Sequence, residues 1–386
     1  MKRFYLLLLL AVPLLAEAQQ AVSLTGYAKE LFMYYKPDQE LPGIGSDALV
    51  ANTFHNRLNF KWYASTQLTA VVEMRNRILF GNLVKQYPAY QSVVDVDNGY
   101  LDLSFVPFEG KGWFMHSFFD RAYLDWVSGN WQIRLGRQRI NWGVNLVWNP
   151  NDVFNSFSYF DFDYEERPGT DALRIQYYTG MTSSAELVYQ LGENANDMAL
   201  AGLYRFSQWD YDFQFIGGWV GTDYMLGAGW AGDIKGAGFR GEITHFKPRQ
   251  EDSGSETATV ASISADYTFP GSLYIHSGIL YNSHGTTGKA GGLDPFFNNK
   301  LSAKYLSLAR YSLFGQCSYP LTPLLSVDLS SILNPSDGSW YIGPTASYSL
   351  QNNLELMATG QLFFGEEGTE FGEIGKLLFA RLKWSF

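Results

Sequence analysis

From Leu24 to the terminal Phe386 the chain alternates apolar and polar residues in short segments, and no other feature limits the fold so severely. Eighteen such segments can be drawn, from 24–35 to 375–386. A period of two puts successive side chains on opposite faces of a strand. Thus Leu58, Phe60 and Trp62 oppose Arg57, Asn59 and Lys61, and Tyr211, Phe213, Phe215 and Trp219 oppose Asp212, Gln214 and Gly218.

The connections are sorted by length. Tight turns follow every even segment, at Ser65, Ser128-Gly129-Asn130, 180–183, 208–209, 233–235, 270–271, 319–322 and 351–352. Long connections follow odd segments, at 36–53, 79–116, 141–169, 248–256, 284–303 and 365–374. Short turns on one rim and long loops on the other are the layout of a transmembrane barrel. The expected fold is therefore all-β, a transmembrane antiparallel up-and-down β-barrel of about 18 strands, with 16 as the alternative count. The segment 99–108 also alternates and leaves room for an extra strand or hairpin. Eighteen strands enclose an aqueous interior, whereas eight would fill it with side chains.

The first 18 residues, MKRFYLLLLLAVPLLAEA, have a basic start, a short apolar run and an Ala-Glu-Ala end, the pattern of a secretory signal peptide. The domain reading is 1–18 signal peptide and 19–386 a single barrel domain. Aromatic residues make up 17% of the chain and charged residues 17%, an unusual balance for a soluble secreted protein. The formal charge of −10 argues against nucleic acid as a partner. Cys317 stands alone, so neither an internal disulfide nor a cysteine metal site is expected. The last segment alternates Leu378, Ala380, Leu382, Trp384 and Phe386. That ending resembles the C-terminal signal of Gram-negative outer-membrane barrels, which implies the barrel-assembly machinery as a partner through Phe386 and an outer-membrane location. Membrane lipid and lipopolysaccharide would be the surroundings.

With the apolar phase toward lipid, Arg57, Lys61, Arg75, Arg77, Arg121, Arg134 and Arg174, joined by Arg381 and Lys383, form a basic wall. Glu186, Asp212, Glu242, Asp266, Asp328 and Glu355 form an acidic one. Facing walls of opposite sign would set a transverse field across a wet channel. Within segment 131–140, Gly136 breaks the alternation, and a bulge there would turn Arg137 and Arg139 inward. The stretch continues with Asn141-Trp142-Gly143, Asn149-Pro150-Asn151-Asp152 and Glu165-Glu166-Arg167-Pro168-Gly169-Thr170-Asp171. Together these motifs resemble Gram-negative porin-like barrels, including those of Bacteroidetes and, more remotely, the alginate-export type. Arg137, Arg139, Arg167 and Arg174 beside Asp152, Asp161, Asp163, Glu165 and Glu166 are expected to tie loop 141–169 to the wall. Alternatively some of these arginines stay free for an anionic or sugar solute, with Trp142 and Trp148 as stacking faces.

Catalytic patterns are weak. His276 adjoins Ser277 and His116 adjoins Ser117, but neighbours on a strand face opposite sides and cannot form a dyad. No cluster has metal-ligand spacing, so no cofactor is expected. The expected function is diffusion of small hydrophilic solutes, passive or weakly selective, with loop 141–169 as the constriction. The alternatives are an outer-membrane enzyme acting on lipid or polysaccharide, and a receptor or assembly platform with a plugged lumen. The oligomeric state is left open.

Overall fold

The computed structural model describes residues 21–40, 47–87, 89–250, 254–291 and 301–386, so the leader expected at 1–18 lies outside the described residues. Its first ten strands are β1 (Val22–Lys36), β2 (Leu49–Tyr63), β3 (Leu68–Gly81), β4 (Ser104–Gly110), β5 (Trp113–Ser128), β6 (Trp131–Gln138), β7 (Thr170–Tyr178), β8 (Ser184–Gln190), β9 (Ala199–Gln208) and β10 (Tyr211–Val220). The others are β11 (Asp223–Ile234), β12 (Ala237–Pro248), β13 (Ala258–Thr268), β14 (Tyr274–Asn282), β15 (Tyr311–Pro320), β16 (Leu325–Leu333), β17 (Trp340–Gln351), β18 (Leu354–Phe364) and β19 (Lys376–Ser385). Two short helices, α1 (Asn82–Gln86) and α2 (Tyr90–Val94), precede β4.

Eighteen of these strands close a ring. Each pairs antiparallel with the next, β3 passes directly to β5, and β19 returns to β1 with Tyr27 opposite Ser385 and Lys36 opposite Lys376. Gly26 and Phe386 exchange backbone hydrogen bonds of 2.9 Å at the lower end of that seam. Closure leaves no ladder open to hydrocarbon, where unpaired N–H and C=O groups would each cost several kcal/mol. The expected short-turn rim and long-loop rim are both present. The outward phase is apolar, with Leu135, Leu187, Phe215, Ile279, Leu329 and Leu382 all exposed. Cys317 lies on this outer face, exposed between Leu313 and Tyr319.

The strand β4 supplies the extra element that segment 99–108 left open, without entering the ring. It pairs with residues 113–118 of β5, while β6 pairs with the other half, residues 122–128. The wall beside β5 is thus built by β6 below and β4 above. Two boundaries differ from the alternation: β2 begins at Leu49, inside the loop expected at 36–53, and the strand expected over 304–318 begins only at Tyr311. Its first residues instead bury Lys304, whose ammonium lies 3.0 Å from Asp223 and 2.6 Å from the Ser255 hydroxyl.

The bulge expected at Gly136 lies elsewhere. Pairing of β6 with β5 runs without a shift from Ser128–Trp131 to Ala122–Arg137, and the irregularity falls on β5, where Glu73 and Met74 face Arg121 and Phe119. The residue skipped there, Asp120, is fully buried. Gly136 has φ +119°, and a Cβ there would collide with the carbonyl of Ala122. Arg137, expected to line the pore, closes the corner where β6 leaves the wall. It binds Asp171 through two bonds of 2.9 and 2.6 Å, Asp97 at 2.5 Å and the Leu101 carbonyl at 2.6 Å. Gly99 packs so closely on this guanidinium that a Cβ would overlap it.

Removing one partner of a buried ion pair strands the other charge, at a cost of about 3–5 kcal/mol. Arg137→Met is therefore expected to destabilise the barrel by about that much in denaturant unfolding from detergent. A loss below about 1 kcal/mol, the range of exposed pairs, would show that the corner does not depend on this cluster.

Candidate functional site: a two-sided loop in the lumen

Residues 139–169 leave the top of β6, cross the lumen and return to β7. The first half of this loop is apolar and docks on the inner face of β8–β17. Ile140, Trp142, Val147, Trp148 and Phe154 pack with the inward residues Val188, Leu203, Ile216, Val260, Leu280, Phe314 and Ile332. This wall is therefore not simply polar, as expected; its inward phase carries a hydrophobic core inside the barrel. Trp142 and Trp148, candidates for stacking on a solute, are 2% and 7% exposed and belong to that core. Their aromatic faces are taken up by Phe154 and Phe314 in edge-on contacts.

Polar groups of this half are held by the wall. Glu242 of β12 is 1% exposed and accepts the backbone N–H groups of Val144, Asn145 and Asn151 at 2.5, 2.7 and 2.8 Å. A carboxylate with three such donors satisfies a loop that has no strand partners. Around it, Trp142 Nε1 donates to Glu186 at 2.7 Å, Gln214 donates to the Trp142 carbonyl at 2.6 Å, and Ser262 to the Trp148 carbonyl at 2.9 Å. Glu186 also receives Arg174 at 2.6 Å.

The second half is ionic and docks on the opposite wall. Asp163 binds Lys29 at 2.7 Å, Glu165 binds Lys383 at 2.7 Å and Arg381 at 3.0 Å, and Glu166 lies 3.5 Å from Arg57. The Arg57 side chain is fully buried and also pairs with Asp120 at 2.5 Å and Glu73 at 2.6 Å. Arg121 holds the loop by its backbone, donating to the carbonyls of Glu166 and Arg167 at 2.6 and 3.0 Å. Arg167 has φ +60°, and its guanidinium lies over Phe157. The loop thus stands between the two sides of the lumen, and three expected acidic-wall residues pair with arginines of the wall itself: Glu186 with Arg174, Asp266 with Arg240 and Glu355 with Arg381. Loop amides cap Glu242, and loop carboxylates pair with Lys29, Arg57, Arg381 and Lys383.

Other predicted residues stay apart from this network. Arg134 pairs with Asp125 at 2.8 Å, and Asp266 pairs with Arg240. Asp212 accepts the Ser207 hydroxyl, and Lys61 is exposed near the short-turn rim. Arg139 follows the end of β6, and its Nε is buried with no hydrogen-bond partner among the described residues. Asp152 is buried at the loop's core, and its Oδ2 is likewise without a partner. Burial pushes its carboxyl up to about 7, against the opposing pull of the Trp142 N–H and the Arg139 and Arg167 charges.

A cavity of about 270 Å³ lies beside the ionic half. Its polar lining is Thr53, His55, Arg75 and Arg77 on the wall and Tyr90 on α2, with Asp161, Asp163 and Tyr164 on the loop. Arg75 lies 3.8 Å from the centre of the Tyr164 ring. The Nε atoms of Arg75 and Arg77 and both nitrogens of His55 have no hydrogen-bond partner among the described residues. His55, Lys29 and Asp120 were not among the predicted residues. Lys29 was obscured because Glu30 places a charge in the opposite phase of the same strand. Asp120 was hidden by the bulge, which puts two consecutive polar residues, Asp120 and Arg121, into buried contacts.

No protein-family model matches the sequence, and no curated protein matches it. Solved structures share the fold at low identity. Pseudomonas aeruginosa OccK11 (OpdR) superposes with a TM-score of 0.59 at 11% identity, covering 95% of this chain and 96% of its own. Acinetobacter baumannii OccAB4 gives 0.60 at 8%, covering 95% and 98%, and Pseudomonas aeruginosa OccD3 (OpdP) gives 0.58 at 10%, covering 94% and 91%. These neighbours are Gram-negative outer-membrane porins of the Occ/OprD family, so the fold is that of a porin-like β-barrel.

Glu242→Ala is expected to leave three loop amides without an acceptor, at about 1–3 kcal/mol for each buried group left unpaired. Faster hydrogen exchange at Val144, Asn145 and Asn151 checks this, and unchanged exchange would mean that the apolar contacts alone hold the loop. A carboxyl raised in the folded state stabilises fully below its unfolded value and loses that contribution as pH climbs through the folded one. Asp152 should therefore make the barrel more stable at pH 5 than at pH 8, and Asp152→Asn should shrink that difference in thermal unfolding.

Proposed function

We propose that this protein is a channel in the outer membrane of a Gram-negative bacterium, passing small hydrophilic solutes past the infolded loop 139–169. The observation that carries the reading is the cavity beside Asp161, where Arg75, Arg77 and His55 hold donor groups that no protein acceptor uses. The nitrogens themselves are buried, so what this cavity offers a solute is the positive charge of the guanidinium groups that border it. With two guanidinium groups against Asp161, the passage weakly favours anions over cations. The porin-like fold and the apolar outer belt support the location. In this reading the belt meets membrane lipid and lipopolysaccharide, and Phe386 presents the chain end to the assembly machinery. The likeness to Bacteroidetes barrels, and more remotely to the alginate-export type, rests on the loop motifs between Gly136 and Asp171 and extends the proposal to that group.

Purified protein in a planar bilayer should give discrete conductance steps. In a salt gradient, Arg75→Ala should shift the reversal potential toward cations and Asp161→Asn toward anions. An absence of steps under all conditions would overturn the channel reading, and identical reversal potentials for both variants would remove this cavity from the path.

A further inference from the structure

The opening is connected to the outer surface by a chain of hydrogen bonds whose direction can be deduced from its ends. Arg77 Nη2 lies 2.9 Å from His116 Nδ1, His116 Nε2 lies 2.7 Å from Ser104 Oγ, and Ser104 Oγ lies 2.5 Å from Asp95 Oδ1. A guanidinium only donates and a carboxylate only accepts. His116 Nδ1 must therefore accept from Arg77, which leaves the ring proton on Nε2 to be donated to Ser104. The serine hydroxyl in turn donates to Asp95. This polarity disqualifies Ser104 as a nucleophile activated by His116, since its proton points to the carboxylate and the imidazole has no free base nitrogen. It makes the four groups a positioning device instead.

The components come from separate elements. Arg77 is on β3 and lines the opening, His116 is on β5, Ser104 begins β4, and Asp95 follows α2 in the external segment 82–112. His116 and Ser104 are 2% and 9% exposed, so water competes little for their bonds. Without His116 the Arg77 head would lose the one neutral acceptor that turns it toward the wall, and it would be free to swing into the lumen.

We propose that Asp95, Ser104 and His116 position the Arg77 guanidinium at the opening, so that the external segment 82–112 helps to set the selectivity of the channel. This rests on the channel reading above, and two measurements separate the two. In a salt gradient, His116→Phe should shift the reversal potential, and should add nothing further when Arg77 is already replaced by Met. His116→Gln, whose carboxamide can both accept from Arg77 and donate to Ser104, should restore the parent value. Equal shifts from His116→Phe with and without Arg77 would overturn the proposal. The second measurement needs no current: chymotrypsin cleavage after Tyr100 in the folded barrel. Ser104→Ala and the interior substitution Arg77→Met should each speed it about tenfold or more, the scale of one lost charge-assisted bond. No acceleration by Arg77→Met would overturn the coupling. If the parent barrel passes no current, the channel reading falls, and the cleavage rates still decide whether the relay exists.

Discussion

Every backbone polar group at the depth of the hydrocarbon must find its partner within the protein. For this chain that single requirement dictates an unbroken antiparallel ladder of eighteen strands whose last member, β19, must return to β1. It also explains the treatment of β6, a wall strand that stops well short of the end of its neighbour β5. β6 ends at Gln138 because the chain turns into the lumen there, and β4 takes up the freed edge of β5. The charge cluster of Arg137, Asp97 and Asp171 fills the corner that two abutting strands cannot seal with ladder bonds alone.

A loop inside a lumen faces the opposite problem, for it is surrounded by side chains and has no ladder. The 139–169 loop solves it with two different surfaces. Its first half has an apolar face that sets aromatic residues against aliphatic ones, and its amides converge on Glu242. Its second half has carboxylates at positions 163, 165 and 166 that meet Lys29, Arg381, Lys383 and Arg57. Hydrophobic contact positions the first half without dependence on salt, whereas partly exposed ion pairs such as Glu165–Lys383 weaken as ionic strength rises. The cavity between Arg75, Arg77 and Asp161 lies on the ionic side.

The ring was readable in the sequence because lipid imposes a two-residue period on every strand, and because loop lengths sort by rim. The aromatic and charged density of 141–169 marked it as the constricting loop, while the sequence alone left 79–116 as a second candidate for the lumen. The direction in which individual side chains serve was not. Arg137 follows Leu135 in the apolar phase, and only the departure of β6 and the approach of segment 97–101 make a buried site for it. Trp142 and Trp148 looked like exposed stacking surfaces because nothing local reveals Ile216, Val260 and Phe314 waiting on the inner wall, residues that lie more than sixty positions away. Those inward apolar positions read as interruptions of a polar phase, when they are the loop's seat. His55 drew no attention as a lone histidine, and its significance comes only from the unpartnered nitrogens beside Arg75 and Arg77.

The partners of the ionic half have one further property: they straddle the seam at which the cylinder closes. Tyr27 and Lys29 belong to the first strand, Arg381 and Lys383 to the last, and Asp163 touches both through Lys29 and Arg381. These docking groups are separated by about the full length of the chain and come together only when the end strands meet. The narrow part of the lumen is therefore a product of ring completion, built inside a finished wall, and the same carboxylates that shape the passage fasten the beginning of the polypeptide to its end. One set of atoms thus narrows the lumen and joins the two ends of the ring.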